Sequence, residues 1–381
     1  KRLQNLPPYL FVEIDKAKRK ARQAGRDLID LGIGDPDQPT PTHIIEKLYE
    51  ASKDPKNHKY ALDQGMPALR QAIAAWYKRR FNVRLNPETE ILPLIGSKEG
   101  IAHMPLAFVN RGEYVLAPNP SYPPYRGSAI LSDAKVCDMP LLEKNNFLPD
   151  FKKIPVTVRK QAKIMFLNYP NNPTGAVADK VFYKKALDFA SKHNILIAHD
   201  AAYSEMAYNG YTPMSFLEVE GAKEAGVEFH SLSKTYNMTG WRIGWVCGNA
   251  DIVSGIAKVK SNIDSGIFSA IQIAGIEALR GPQEHIQNMC YLYQERRDVL
   301  CEGLKSLGWN IHVPQATFYV WVKAPKGNDS RKFTSILLEK CDIVATPGVG
   351  FGEYGEGYIR FALTVPKERI AEAVQRIKKR L

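Results

Sequence analysis

The 381-residue sequence predicts an α/β protein: a large domain on a mostly parallel seven-stranded sheet sandwiched by helices, plus a smaller α+β domain. Three observations predict it. Between about Ile91 and Val246 short apolar segments alternate with helical ones, the pattern of a parallel sheet covered on both faces. After about Gly281 that rhythm gives way to a long helical stretch and a mixed order of strands and helices. The chain is also longer than one hydrophobic core usually supports, which favours two domains.

In chain order, helical spacing covers Val12–Ala24, and the first strand of the large sheet is expected at Ile91–Ile95. The other strands are expected at Tyr114–Ala117, Lys135–Met139, Ile164–Asn168, Ile195–His199, Phe229–Leu232 and Ile243–Cys247. Beyond them come a helix through Leu307, a strand at Phe318–Lys323, a helix near Arg331–Lys340, two short strands and a closing helix from Lys367. The segment before Gly34 is too short to fold alone and is expected to pack on the C-terminal region. The large domain therefore spans 36–285 and the small one 1–35 with 286–381. Asp35–Pro41 (DPDQPTP) is stiff and turn-forming, which suits the crossing between them.

Composition excludes several classes. With 44% hydrophobic and 24% charged residues the chain is ordinary for a soluble globular protein, and no apolar run approaches the roughly 20 residues of a membrane span. The five cysteines are scattered without paired metal-site spacing, so they read as reduced packing residues and no metal is expected. The first residues lack a signal-peptide apolar core, and a cytoplasmic protein is expected. The net charge of +12 is spread along the chain, and its one dense cluster, Arg376–Arg380 (RIKKR), falls on a terminal helix pattern. It reads as a solvated face rather than a nucleic-acid surface, with the excess charge favouring anionic small molecules.

Ligands of open α/β sheets bind beyond the carboxyl ends of the strands, so the loops Gly96–Gly100, Asn119–Tyr125, Asn171–Gly175, Asp200–Tyr203 and Ser231–Lys234 should converge. Within Ser231–Trp245 (SLSKTYNMTGWRIGW), Lys234 would emerge at the end of a buried strand, where partial desolvation makes an amine nucleophilic. Ser231, Ser233 and Arg242 could hold a dianion beside it. Pyridoxal 5'-phosphate requires this combination, an aldehyde for the lysine to capture and a phosphate for hydroxyls and a guanidinium to anchor. A surface lysine in a Ser/Thr turn is the bland alternative.

Asp200 closes the apolar run Asn194–His199, where a charge needs a cationic partner such as a pyridinium nitrogen; capping of a following helix competes with that reading. Tyr203, one helical turn on, could reach the ring's phenolic oxygen, or simply pack. Asn172, in Asn168–Gly175 (NYPNNPTG), precedes a proline whose bond can be cis, so its amide can be held rigidly; turn formation alone also explains the motif. Ser97, in Gly96–Gly100 (GSKEG), can cradle a phosphate with the backbone N–H groups opening a helix, without the spacing of a Walker motif. Tyr122 is a candidate ring to stack on the cofactor or a loop-filling aromatic. Arg360, inside the apolar Tyr358–Leu363 (YIRFAL), needs an anion: a substrate α-carboxylate matched by its planar fork, or a structural carboxylate.

Together, Asn172-Pro173-x-Gly175, Asp200-x-x-Tyr203, Ser231-x-Ser233-Lys234, Arg242 and Arg360 resemble, over nearly the whole chain, the fold-type-I pyridoxal-phosphate aminotransferases of the aspartate aminotransferase family. The resemblance implies Lys234 as the Schiff-base lysine and proton shuttle, Asp200 on the pyridine nitrogen, and Asn172 and Tyr203 on the phenolic oxygen. Ser97, Ser231, Ser233 and Arg242 take the phosphate, and Arg360 takes the substrate carboxylate. It implies a homodimer with shared active sites, in which Tyr60 reaches a neighbour's phosphate.

Within that family, Leu6–Ala21 (LPPYLFVEIDKAKRKA) and Leu31–Pro41 (LGIGDPDQPTP) look like the LL-diaminopimelate aminotransferases, which interconvert tetrahydrodipicolinate and glutamate with LL-diaminopimelate and 2-oxoglutarate. Tyr9, Gly34, Asn172, Asn262 and Arg360 then contact substrate, while Lys98 and Tyr122 touch both substrate and cofactor. Asp63 stands where that subgroup has a glutamate reading the distal ammonium, and a shorter carboxylate reaches less far. Readings that keep the fold are a general aminotransferase for aspartate, alanine or aromatic amino acids, or a β-lyase. A ligand-sensing regulator is disfavoured by the intact Lys234 and Asp200 and by the absence of a helix-turn-helix extension.

Overall fold

The computed structural model describes residues 2–6, 10–325 and 327–381. Its strands are β1 (Ile29–Asp30), β2 (Ile91–Leu94), β3 (Tyr114–Asn119), β4 (Lys135–Pro140), β5 (Ala162–Asn168), β6 (Leu196–Asp200), β7 (Gly226–Ser231), β8 (Gly244–Gly248), β9 (Tyr319–Lys323), β10 (Ile343–Val344), β11 (Thr346–Pro347) and β12 (Tyr358–Ala362). Seven of them form one sheet in the order β2-β8-β7-β6-β5-β3-β4. Only β8 runs against the others, antiparallel to both β2 and β7. The seven expected strands are all present. The largest shift is at β7, which starts at Gly226 and stops at Ser231 because the Ser231 side chain accepts from the Ser233 N–H and caps the short helix Leu232–Thr235. Lys234 therefore stands on the first turn after a strand end.

Continuous apolar strands such as β5 (AKIMFLN) are buried because helices cover both faces of the sheet. One face packs Met165, Leu167, Ile197 and Trp245 against Ile73 and Trp76; the other packs Phe166, Ala198, Phe229 and Val246 against Ile101 and Met104. A separate core gathers Leu31, Leu300, Leu304, Val320, Leu337, Phe361 and Ile370. Its sheet is antiparallel, β11-β12-β9, with β1 pairing in parallel with β10 beside it. Three strands rather than two follow the helix Ser330–Cys341. The Asp35–Pro41 segment is held at both ends: Arg296 of the long helix Glu284–Ser306 grips Asp37 through two bonds of 2.7 and 2.8 Å, and Thr40 donates to the Asn237 carbonyl at 2.9 Å.

Candidate active site

The loops at the carboxyl ends of β3, β5, β6 and β7, the turn after β2, and Gly32–Asp35 line one cavity of about 490 Å³, large enough for a cofactor and a small substrate. Lys234 stands half-buried in its wall, its ammonium donating to the Gly34 carbonyl at 2.8 Å and lying 5.5 Å from the Phe318 ring centroid. Burial lowers its pKa to about 8; Asp35 opposes that shift, and the positive charges of Arg360 and Arg242 reinforce it. The sign favours nucleophilicity, because only the neutral amine attacks a carbonyl. At pH 7 a pKa of about 8 leaves about a tenth of the lysine neutral, against about 0.03% for an ordinary lysine. Imine formation with an added aldehyde is therefore expected to rise through about pH 8 and to level off above it; a rise continuing past pH 10 contradicts the placement of Lys234.

Asp200 ends β6 buried, as its sequence position implies, but no helix follows it. Ala202–Glu205 is a turn, so Asp200 accepts from the Ala202 N–H at 3.3 Å without capping a helix, and Tyr203 reaches the cavity from that turn. Burial raises the Asp200 pKa, while the bonds from Tyr125 (2.8 Å) and Ala202 lower it. The segment PSYPPY points to Tyr122 and carries no local signal for Tyr125. The spacing of three residues puts both rings at the start of the helix Pro124–Leu131, where they meet edge to face at 5.7 Å. Asn168 fixes the same strand end by donating to the Asp200 carbonyl at 2.8 Å. The Tyr203 hydroxyl lies 3.1 Å from that of Tyr319, and its burial pushes its pKa well up.

At the end of the cavity nearest β2, Gly96 (φ 76°) precedes the helix Ser97–Phe108. A Cβ there would lie 2.2 Å from Arg242 Nη2, so glycine is what lets the guanidinium lie over the turn. Arg242 itself has left-handed backbone (φ 56°, ψ 56°), and its Nη1 donates to the Thr239 carbonyl at 2.8 Å. Ser97, Lys98, Ser231, Ser233 and Arg242 all line this cavity. Hydroxyls, a guanidinium and a helix N-terminus form a donor set without a carboxylate, and it fits a phosphate dianion.

Arg360, on β12, is 2% exposed; its Nη1 donates to Asn172 Oδ1 at 2.8 Å and its Nη2 to the Gly32 carbonyl at 2.9 Å. The guanidinium lies 4.1 and 4.6 Å from the Tyr319 and Phe351 ring centroids. The Asn172-Pro173 bond is cis. Because the carbonyl end of the Asn172 amide accepts from Arg360, its NH₂ end is the one that can donate elsewhere. Gly34 has a steric reason to be glycine, since a Cβ there would lie 1.9 Å from the Tyr319 hydroxyl. Gly34→Ala is expected to lower stability by about 1–3 kcal/mol in urea unfolding. It should also weaken the Lys234 contact with the Gly34 carbonyl; wild-type stability contradicts the packing.

The single chain does not bring every expected residue together. Tyr60 is 95% exposed, Asp63 is half-buried and Asn262 is exposed with its amide on the Lys258 carbonyl at 2.8 Å; none lines the cavity. Their loops do adjoin, for a Cβ on Gly266 would sit 2.2 Å from the Leu62 carbonyl. Tyr9 lies outside the described residues. Among the described residues no helix is long and apolar enough to cross a membrane.

Residues 26–377 match the family described as aminotransferase class I and II. The chain is 54% identical to the LL-diaminopimelate aminotransferase of Halothermothrix orenii, covering 99% of this chain and 97% of that protein. It is 55% identical to the one from Syntrophobacter fumaroxidans with the same coverage. Among solved structures it is similar to substrate-bound BacF of Bacillus subtilis (TM-score 0.95, 42% identity, 99% of this chain and 96% of that one). It is also similar to a probable N-succinyldiaminopimelate aminotransferase of Thermus thermophilus (TM-score 0.93, 39% identity, 97% of this chain and 100% of that one). An α/β sheet whose strand ends gather a desolvated lysine, a buried aspartate and a buried arginine, matched along almost the full chain by these proteins, belongs to the class I and II aminotransferases.

Proposed function

We propose that the chain uses pyridoxal 5'-phosphate to move an amino group between LL-diaminopimelate and 2-oxoglutarate, and that it does so as a homodimer. The observation that carries the reading is the joint placement of Lys234, Asp200 and Arg360 around one cavity. The curated relatives named for this substrate pair, at 54 and 55% identity, support the choice of substrates.

Pyridoxal 5'-phosphate, when bound, supplies a carbonyl that captures amines and a conjugated ring that spreads the charge left when the α-proton departs. Ser97, Ser231, Ser233 and Arg242 hold its phosphate. Asp200, steadied by Tyr125 and the Ala202 N–H, holds the ring nitrogen's proton, a pairing that also compensates the cost of burying the carboxylate. Asn172 and Tyr203 would serve the ring oxygen, and Tyr122 would offer the ring an aromatic face. Arg360 orients the amino acid through its carboxylate, so that the α-proton faces Lys234. Lys234, whose lowered pKa makes the neutral amine more available, would take that proton and hold it as its ammonium, the general-base role that transamination requires. Lys98 and Gly34 shape the substrate end.

Tyr60, Asp63 and Asn262 act across the subunit interface, in a neighbour's cavity. The exposure of Tyr60 and Asn262 in the single chain, together with that of Leu62 and Ile263, 73% and 58% exposed, suits a surface that a second copy covers. Half-reactions test the reading: mixing the pyridoxal form with LL-diaminopimelate should convert it to the amine form, and 2-oxoglutarate should convert it back. A protein that reacts with aspartate, alanine or an aromatic amino acid but not with this pair is a general aminotransferase, and one that releases pyruvate and ammonia without an acceptor is a β-lyase.

A further inference from the structure

A buried ionic cluster lies outside the cavity, behind the turn that starts the helix Ser97–Phe108. Lys260, fully buried at the end of the helix Ala250–Lys260, donates to Glu99 Oε1 at 2.7 Å, to Asp264 Oδ1, and to the Ser265 carbonyl at 3.1 Å. All three of its N–H bonds are thus used. The other oxygen of Glu99 accepts from the Ile95 N–H, at the residue before Gly96. Glu99, His103 and Asp264 have the spacing of a metal site, but the ammonium already occupies it.

Two loops therefore meet at one nitrogen. On one side, through Glu99, is the turn Gly96–Lys98, which lines this chain's cavity. On the other, through Asp264 and Ser265, is the segment 261–266, which carries Asn262 and touches the Tyr60–Asp63 loop at Gly266. We propose that Lys260 is a positioning residue that locks the turn at its own cavity to the loop serving the neighbouring subunit's cavity, so that one ammonium sets cofactor grip in one site and substrate reach in the other. The proposal rests on the cofactor-dependent homodimer described above. Placing a charge here is costly unless every proton is bonded, and its acceptors are Glu99, in the first turn of the helix that follows Gly96, and Asp264 and Ser265 of the segment 261–266. None of the cluster's residues lines this chain's cavity, so Lys260 acts on it only through the turn that Glu99 holds.

The test is Lys260→Met in the full-length dimer, with Glu99→Gln as a milder second variant should the first not fold. Apoenzyme titrated with pyridoxal 5'-phosphate, followed by absorbance, should show Kd raised about tenfold, and KM for LL-diaminopimelate should rise about as much while kcat changes less than about threefold. Mixed dimers separate the two arms by carrying Lys234→Ala on one subunit, which leaves one working site. Lys260→Met on the Lys234→Ala subunit should raise KM at that site and leave its cofactor Kd alone; on the other subunit it should raise Kd. A purely structural role would lower thermal stability and leave both constants within about twofold of wild type, overturning the proposal. A wild-type protein that sediments as a monomer, or that does not bind the cofactor, refutes the dimeric or cofactor reading and the proposal with it. A cofactor-binding dimer with unaltered constants refutes the bridge alone.

Discussion

Replacing Lys234 with alanine is expected to lower turnover by at least about a thousandfold, because a single amine supplies both the captured nucleophile and the proton shuttle. The cavity offers no second amine in its place. Lys98 belongs to the turn at the phosphate end, and Lys18 is committed to Asp30 at 2.5 Å. The fold should survive, since the alanine removes a desolvated charge whose lowered pKa marks it as costly to bury. The cofactor should still bind through its phosphate, without the absorbance of the lysine adduct and without a borohydride-reducible bond. Retention of turnover above about a tenth of wild type would place the chemistry on another residue. Supplying a small primary amine should restore part of the rate, a recovery that a misfolded variant would not show.

Arg360→Lys is expected to cost about 2–4 kcal/mol in transition-state binding, or roughly 30- to 1,000-fold in kcat/KM, carried mostly by KM. The charge is kept and the geometry is lost. The guanidinium satisfies Asn172 and Gly32 with two different nitrogens while lying within cation–π range of Tyr319 and Phe351. An ammonium cannot present a fork to a carboxylate. Because Asn172 takes its orientation from Arg360, the same variant should also shift the absorbance of bound cofactor; a change in KM with an unaltered spectrum would separate the two roles.

Much of this architecture is legible in the chain because its signals are local. The strands of the large sheet are continuous apolar runs, and the loops after them carry the polar residues. Ser231 is both the end of a strand and the cap of the next turn, so SLSK fixes where Lys234 emerges. The misses are relations between distant segments. Tyr125 matters because its hydroxyl meets Asp200, 75 positions away, and nothing near PSYPPY distinguishes it from a packing tyrosine. Gly34 is constrained by Tyr319, which in the sequence is simply part of a strand. Glu228 is a fully buried carboxylate bonded by Tyr77, Ser215, His199 and His230, and it lies in a segment that reads simply as β-strand. Burial pushes its pKa up, but His199 and His230 outweigh that and hold it ionised, below the ordinary glutamate range. The helical spacing from Asp200 to Tyr203 misleads because a buried strand end turns before any helix can form.

The most direct measurement is a single-turnover half-reaction: purified protein loaded with pyridoxal 5'-phosphate is mixed with LL-diaminopimelate, and its absorbance is followed, before 2-oxoglutarate is added. The account predicts loss of the lysine-adduct band, appearance of the amine form, and recovery of the band with one glutamate formed per site. A loaded protein whose spectrum does not change with LL-diaminopimelate, yet which reacts with another amino acid, contradicts the proposed substrate; one that reacts with no amino donor contradicts the placement of Lys234, Asp200 and Arg360 as a working site.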